Sequence, residues 1–390
     1  MLLKSKLSAA GIVSVLLVGG LFASASSSAK TPTISASSFT RNFSAMTALK
    51  PLAAKGKGKI AVILPDTVSS ARYVDFDAPY LKEAFQKAGL KSSQFSVQNA
   101  QGSDSTELTD AQAAISAGAR VLVVDPLDSG VGAQIETYAK SHGVKVIDYD
   151  RLTLGGARAY YVSFNNVKVG TLLGNGLVAC VAAWNVSSPK VIVMRGAATD
   201  NNATLFFQGY NAVLQTKFKA GWTNVASPAG TWDPPTAETE FQQALTQNPS
   251  ANAALIPNDE NGAPIISYLQ SKGVKPNTFP LTGQDATPVG LQNILAGYQC
   301  GTVYKPIYLE AQATAALAIY LRAGVKPPSG LANGTTQDTT ASVSVPSVLL
   351  SPVWVTATNM EKTVVKDNFV PASQLCTGAF AADCTKYKIH

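Results

Sequence analysis

Short runs of Val, Ile and Leu recur along this chain, and each run ends at a polar or charged residue. Stretches with the apolar spacing of helices separate the runs. Continuous apolar runs that alternate with helices are typical of parallel strands that are buried on both faces. The pattern therefore predicts an α/β fold, with parallel sheets flanked by helices. The clearest strand-like runs lie at residues 60–64, 121–124, 144–147, 191–194, 253–257 and 279–283.

The strand–helix alternation forms two series of similar length, and the second begins near residue 165. Gly89, Gly118 and Gly143 stand where helices of the first series should end. A last long helix is predicted over 307–323, followed by a Gly-, Thr- and Pro-rich region and a strand-like run at 348–356. Two similar α/β lobes are expected.

The polar residues at the strand ends are the main candidates for a binding site. Sheets of this kind bind ligands beyond the carboxyl ends of their strands. Planar Asp, Asn and Arg groups can each make two hydrogen bonds to neighbouring hydroxyls of a small, uncharged ligand. Taken singly, any of the Asp or Asn residues could instead be a helix N-cap or a turn residue. The candidates are Asp150, Arg151, Asn201, Asn202, Asn258, Asp259, Asp285 and Lys305.

Two aromatic residues add to this set. A sugar ring has apolar C–H faces that pack on aromatic rings. Trp232 lies in a loop-like stretch, and Tyr73 follows the first strand. The alternative for Trp232 is a loop tryptophan that closes the core.

Composition excludes several other functions. The 390 residues, 46% of them hydrophobic and 14% charged, suit a globular protein of two domains. The net charge of +7 is dispersed, so no nucleic-acid partner is expected. With two histidines and none of the common catalytic or metal motifs, we predict no catalytic residue, no metal and no cofactor. We interpret the glycines at 170, 174 and 176 as packing positions within a helix. We interpret Asp75 and Asp77 as the solvated start of a helix, where acidic side chains are favourable.

The N-terminus has the layout of a signal peptide. Lys4 and Lys6 precede an apolar stretch, and small residues at 23–25 follow it. We expect residues 1–25 to be cleaved on export, with an uncleaved anchor as the alternative, and residues 26–58 to form a flexible tail. Export permits disulfides. Cys376 and Cys384 are the expected pair, whereas Cys180 and Cys300 are either a second pair or buried thiols.

Several stretches resemble the periplasmic sugar-binding proteins of bacterial ABC transporters, and within them the D-xylose-binding proteins. The resemblance extends over most of residues 59–328. The stretches that carry it are 149–151, 162–170, 200–203, 258–259, 283–286 and 302–306.

The resemblance implies two Rossmann-like lobes joined by a hinge of three crossings, with the ligand in the cleft between them. It places residues 59–163 and 306–340 in the N-terminal lobe, and 164–303 and 341–390 in the C-terminal lobe. It also implies that Arg72 contacts the sugar from the first loop. The chain departs from the pattern at Tyr73, where the xylose-binding proteins have Trp, and this difference bears on the identity of the sugar.

The resemblance further implies a monomeric, exported receptor of the periplasmic or extracytoplasmic space. It would capture a monosaccharide such as D-xylose by hinge closure and deliver it to an ABC permease, with a chemoreceptor left open as a second partner. One alternative is a sugar-responsive regulator of the same fold, which would need a DNA-binding helix-turn-helix. The other is a secreted enzyme acting on a sugar, with Asp150 and Asp285 as its acid–base pair.

Overall fold

The computed structural model describes residues 33–390, so the predicted signal peptide at 1–25 lies outside the described residues. Alternating strands and helices follow each other as the apolar pattern predicts. The strands are β1 Lys59–Leu64, β2 Phe95–Asn99, β3 Ala119–Val124, β4 Lys145–Tyr149, β5 Tyr160–Phe164, β6 Lys190–Val193, β7 Thr223–Ala226, β8 Ala253–Leu255, β9 Thr282–Gln284, β10 Gly301–Tyr304, β11 Gly334–Asp338, β12 Val343–Leu350 and β13 Val353–Val355.

Three helices end two residues before Gly89, Gly118 and Gly143, and the last long helix covers Ile307–Arg322, where 307–323 was predicted. A short π-helical turn, Tyr73–Asp77, directly precedes the first long helix, Ala78–Lys87. The helices are α1 Ser44–Thr47, α2 Lys50–Ala53, α3 Ala78–Lys87, α4 Asp104–Ser116, α5 Ser129–Ser141, α6 Asn166–Ala183, α7 Asn201–Phe218, α8 Pro234–Gln247, α9 Asp259–Ser271, α10 Pro288–Leu295, α11 Ile307–Arg322, α12 Ala372–Leu375 and α13 Ala381–Tyr387.

Two sheets form the centres of two lobes. The first has the order β11-β12-β5-β4-β3-β1-β2, and all neighbours are parallel except β11 and β12. The second consists of β7-β6-β8 and β9-β10-β13, which are linked by a parallel bridge between Ala254 and Leu281. Parallel sheets flanked by helices confirm the predicted fold class.

The chain passes between the two sheets three times, as a three-crossing hinge requires. It leaves the first sheet after β5, returns after β10 and leaves again after β12. The last crossing is later than predicted, because β12 pairs with β5 in the first lobe. The apolar run at 348–356 is therefore two strands in two lobes, separated at Ser351 and Pro352.

Glycines bring α6 and α7 into backbone contact, as their helical spacing suggested. A Cβ on Gly170 would lie 2.0 Å from the carbonyl oxygen of Phe206, and one on Gly209 would lie 2.1 Å from that of Val167. By length and composition α6 could cross a membrane, but half of it is buried in the fold. Its packing against α7 identifies it as a core helix.

The prediction of a flexible tail is wrong for residues 33–58. Phe43, Met46 and Leu49 are fully buried, and they belong to the same apolar core as α3 and α11. Arg322 from α11 donates hydrogen bonds to the carbonyl oxygens of Ala53 and Gly58, which fixes the end of this segment. The apolar residues are sparse and the helices only four residues long, so the local pattern resembles that of a loop.

All four cysteines are paired in the structure. Cys180 of α6 is bonded to Cys300 beside β10, and Cys376 is bonded to Cys384 in the C-terminal segment. The first bond joins a helix to a strand of the second lobe, across a sequence separation of 120. The second closes a short loop with a separation of 8.

Candidate functional site

A small polar cavity of about 30 Å³ lies between the lobes, at the carboxyl ends of both sheets. Nine of the sequence candidates line it: Arg72, Tyr73, Asp150, Arg151, Asn202, Trp232, Asn258, Asp285 and Lys305.

Arg72 is held by carboxylates on its own lobe. Its Nε and Nη2 donate to the two oxygens of Asp77 at 2.8 and 2.7 Å, and Nη2 also donates to Glu310 at 2.7 Å. Its Nη1 donates to Asp150 Oδ1 at 2.7 Å. Burial alone would lower the pKa of Arg72, but Asp150, Asp77 and Glu310 raise it well above its ordinary value. Arg72 is thus a rigid, permanently charged part of the cavity wall.

Asp150 is the acceptor at the centre of the first lobe's wall. Besides Arg72, it receives a hydrogen bond from the Tyr73 hydroxyl at 3.2 Å. Burial opposes ionisation, but Arg72, Lys305 and Arg151 lower the pKa of Asp150 to about 2. The carboxylate is therefore ionised at neutral pH and can accept hydrogen bonds from ligand hydroxyls.

Arg151 spans the cleft from the first lobe. Its Nη2 donates to the Tyr73 hydroxyl at 3.1 Å and to Ser69 Oγ at 3.4 Å. Its Nε lies 3.6 Å from Asp200 of the second lobe and 3.7 Å from Asp125 of its own lobe. Its Nη1 donates to the carbonyl oxygens of Pro126 and Leu127 at 3.3 and 3.4 Å. The Nε N–H, at ion-pair distance from its two carboxylates, is therefore the donor best placed for a ligand.

The second lobe contributes an aromatic wall. Trp232 packs edge-on against Phe206, with ring centroids 6.4 Å apart. Its Nε1 donates to Asp200 Oδ2 at 2.9 Å, which fixes the ring. Gly196 is required beneath the ring, because a Cβ there would lie 2.1 Å from the indole. A fixed aromatic ring of this kind can pack on the C–H face of a sugar.

Asp285 and Lys305 form the wall at the hinge. Lys305 Nζ lies 2.9 Å from Asp285 Oδ1 and 4.0 Å from Asp150 Oδ1. Burial alone would lower the pKa of Lys305, but Asp285 raises it.

Asp150 and Asp285 both have positive φ angles, of 56° and 90°. A non-glycine residue in this region is strained, and such strain clusters at binding sites because the backbone must aim a particular side chain.

Direct hydrogen bonds join the lobes around the cavity, so this is a closed arrangement. Ser70 Oγ of the first lobe donates to Asp285 Oδ2 at 2.9 Å. Asn258 Nδ2 donates to the Ser69 carbonyl at 3.0 Å, and Asn202 Nδ2 donates to that of Asp150 at 2.9 Å. Asn258 also caps α9 through its Oδ1, so the cap and the cavity roles coexist in one side chain.

Two sequence candidates do not line the cavity. Asn201 lies instead on a surface groove beside Thr199 and Thr204. Asp259 is fully buried inside the second lobe, where it accepts hydrogen bonds from Gln299, Thr302 and Thr287. Each follows a cavity residue by one position, and consecutive residues at a helix start point in different directions.

Asp77 is a further correction. We expected Asp75 and Asp77 to form a solvated helix start, and Asp75 is indeed exposed. Asp77, however, is fully buried and accepts from Arg72 and from the Tyr149 hydroxyl. The π-helical turn rotates Asp77 inward, and nothing in the local sequence shows that turn.

The cavity also contains residues that the sequence candidates omitted. Asp200 is the N-cap of α7, and Phe206 lies on the same face of that helix as Asn202. Helical periodicity from Asn202 could have found Phe206. The full set of omitted residues is Ser69, Ser70, Asp200, Phe206 and Gln284.

Comparisons with known proteins agree with this geometry. Residues 60–326 match the model of a periplasmic binding protein domain. The D-xylose-binding periplasmic protein of Escherichia coli strain K12 is 34% identical over 296 residues, which are 74% of this chain and 86% of that protein. The multiple sugar-binding periplasmic protein SbpA of Azospirillum brasilense is 30% identical, over 84% of this chain and 94% of its own length.

Solved structures give the same result. A carbohydrate transporter solute binding protein from Chloroflexus aurantiacus, in complex with D-glucose, superimposes with a TM-score of 0.71 at 28% identity. The match covers 81% of this chain and 97% of that one. With its two lobes, its polar interlobe cavity and these relatives, the chain belongs to the periplasmic binding protein family, as a sugar-binding protein of the ABC transport class.

Proposed function

We propose that the protein is exported, captures one uncharged monosaccharide by closure of its two lobes, and delivers that sugar to an ABC permease. The ligand we favour is an aldose, and among the aldoses we favour an aldopentose such as D-xylose. The observation that carries the proposal is the cavity itself, which combines acidic, amide and basic hydrogen-bonding groups with an aromatic wall. Proteins that bind D-xylose or several sugars are among the relatives.

The charges of the cavity favour a neutral ligand. Its three cations are Arg72, Arg151 and Lys305, and each lies within 4 Å of at least one cavity carboxylate. The carboxylates Asp150 and Asp285 are likewise paired. An added anion or cation would therefore meet no uncompensated opposite charge, whereas sugar hydroxyls can both donate to and accept from these groups.

Closure would follow from ligand contacts to both lobes. Asp150 and Arg151 belong to the first lobe, and Trp232, Asn258 and Asp285 to the second. A sugar that contacts both sets stabilises the closed form relative to the open one, and the closed form then presents both lobe surfaces to the permease.

The test is a thermal-shift screen followed by calorimetric titration. The panel contains D-xylose, D-glucose, D-ribose and myo-inositol, with D-glucuronate and D-glucose 6-phosphate as charged counterparts. A neutral sugar should raise Tm, because ligand at a hundred-fold excess over Kd adds about 2.7 kcal/mol to the free energy of unfolding. The charged counterparts should not. Chromatography of the mixture should recover the sugar unchanged.

Two results would overturn the proposal. One is binding of the charged counterparts at least as tight as that of every neutral sugar. The other is catalytic conversion of a sugar, which would favour the enzyme alternative.

A further inference from the structure

The C-terminal segment after β13 lies outside the matched family domain, and it contacts the hinge. Residues 356–390 follow the last crossing and pack through α12 against α10 of the second lobe. Within this segment, Asp367 and Phe369 also contact the first lobe and the crossing between β10 and α11. This is the crossing that contains Lys305.

Asp367 binds both ends of that crossing. Its Oδ2 accepts from the hydroxyl of Tyr304, the last residue of β10, at 3.0 Å. The same oxygen accepts from the hydroxyl of Tyr308, in the first turn of α11, at 3.2 Å. One carboxylate oxygen thus binds one residue on each side of Lys305 and Pro306.

Phe369 extends this contact into the first lobe. Its ring stacks on Phe76, with centroids 3.8 Å apart and planes 15° apart, and its centroid lies 4.9 Å from that of Tyr304. Phe76 belongs to the π-helical turn that also contains Tyr73 and Asp77. Phe369 is therefore packed between an element of the first lobe and a strand of the second.

The N-terminal segment completes the arrangement. Arg41 Nε donates to the carbonyl oxygen of Asp367 at 2.9 Å. Its guanidinium also lies over the rings of Tyr80 and Tyr308, at 5.0 and 5.9 Å from their centroids. Both segments that flank the matched domain thus meet at the hinge.

We propose that Asp367 and Phe369 form a hinge clamp that holds the Lys305 crossing in its closed geometry and thereby sets the sugar affinity. The inference rests on the proposed function. Lobe opening rotates the backbone at the crossings, because a hinge concentrates the change in φ and ψ in a few residues. A carboxylate that binds both flanks of a crossing, and a ring packed between the lobes, oppose that rotation. Both are positioning residues, since neither lines the cavity.

The clamp makes a kinetic prediction. Loss of its contacts should destabilise the closed form only, so sugar should dissociate faster while its association rate stays within about two-fold. Asp367→Ala removes the acceptor of two tyrosine hydroxyls and should raise the Kd by roughly five- to ten-fold, as loss of about one net hydrogen bond implies. Asp367→Asn keeps an acceptor oxygen and should recover most of the affinity. Phe369→Ala should resemble Asp367→Ala.

The experiment uses the full chain, with D-xylose and D-glucose as probes, and has two readouts. Stopped-flow fluorescence gives the association and dissociation rates. Small-angle scattering of the ligand-free protein gives the radius of gyration, which should increase in Asp367→Ala and Phe369→Ala. Phe380→Ala is the matched control, because Phe380 is a half-buried aromatic of the same segment outside the clamp contacts. It should leave both readouts unchanged.

The outcomes separate the clamp from the proposed function. If neither probe binds the parent, the proposed function fails for these sugars, and the scattering readout still tests the clamp. Unchanged dissociation rates together with an unchanged radius of gyration would overturn the clamp. A change of the same size in Phe380→Ala would also overturn it, since the effect would then be general to the C-terminal segment. Phe369→Leu replaces Phe369→Ala if the latter does not fold.

Discussion

Asp285 and Arg151 are the side chains on which binding should depend most. Asp285 accepts from Ser70 across the cleft and pairs with Lys305, and Arg151 pairs with Asp200 across the cleft. We expect Asp285→Ala and Arg151→Ala each to weaken sugar binding by roughly ten-fold or more, because each removes a charge-assisted bond of about 1.5–3 kcal/mol. Calorimetric titration with the best sugar of the panel measures this.

Asp75→Ala is the control for these two variants, since Asp75 is an exposed carboxylate outside the cavity. It should bind like the parent. Folding of every variant is checked by circular dichroism. Parental affinity in both Asp285→Ala and Arg151→Ala would show that the ligand is bound elsewhere.

Elements of the second lobe depend on close helix packing. A Cβ on Gly209 would lie 2.1 Å from a backbone carbonyl of α6, and a helix backbone cannot move as a flexible side chain can. Gly209→Ala should therefore lower the free energy of unfolding by about 1–3 kcal/mol, the usual cost of overpacking. Urea denaturation measures it.

Gly262→Ala is the matched control, and we expect it to raise the free energy of unfolding rather than lower it. Gly262 lies inside α9, and a Cβ there would have its nearest neighbours at 3.8 Å. Alanine should stabilise this helix by up to about 1 kcal/mol, because it loses less backbone entropy on folding. Equal destabilisation by both variants would contradict the packing argument.

The two disulfides should differ in their contributions. In the chain-entropy model, a loop of about 100 residues corresponds to about 4.7 kcal/mol, and the short loop to about 2–3 kcal/mol. Replacing Cys180 and Cys300 by Ser should therefore lower Tm more than replacing Cys376 and Cys384. Peptide mapping without reduction first establishes the pairs in the secreted protein. Free thiols there would remove the basis of this prediction.

At the scale of the whole molecule, stability should fall as pH rises through the neutral range. Burial raises the pKa of Glu107 to about 8, well above its value in an unfolded chain. The folded state therefore binds a proton that the unfolded state releases, and this contribution is present below about pH 4.5 and lost as pH rises to about 8. Thermal unfolding between pH 5 and 9 measures it.

Glu107→Gln separates this group from the others. In the parent, Glu107 accepts a hydrogen bond from the Leu127 N–H at 3.1 Å. The amide of Gln keeps an oxygen that can accept this bond, and the amide does not titrate. Its Tm should fall less between pH 5 and 9 than that of the parent. Asp75→Asn, at an exposed site, should keep the parental dependence. A slope in Glu107→Gln equal to the parent's would assign the loss of stability to other groups.

Export is also a property of the whole chain. The mature protein should begin near Ser26, because small residues at 23–25 precede that position. Intact mass of the protein secreted by its host tests this. A product that retains Met1 would support the uncleaved anchor.

The sequence by itself determined the alternation of strands and helices and most of the cavity. Apolar runs that are buried on both faces indicate a parallel sheet. Residues at the carboxyl ends of such strands lie at one rim, as Asp150 and Asp285 do. Tertiary structure alone decided what depends on distant contacts. It turned Asp259 into the second lobe, turned Asp77 inward beneath Arg72, and split one apolar run between two lobes. Local periodicity shows which residues are buried, but the partner that buries each one is set by the packing of elements far apart in the chain.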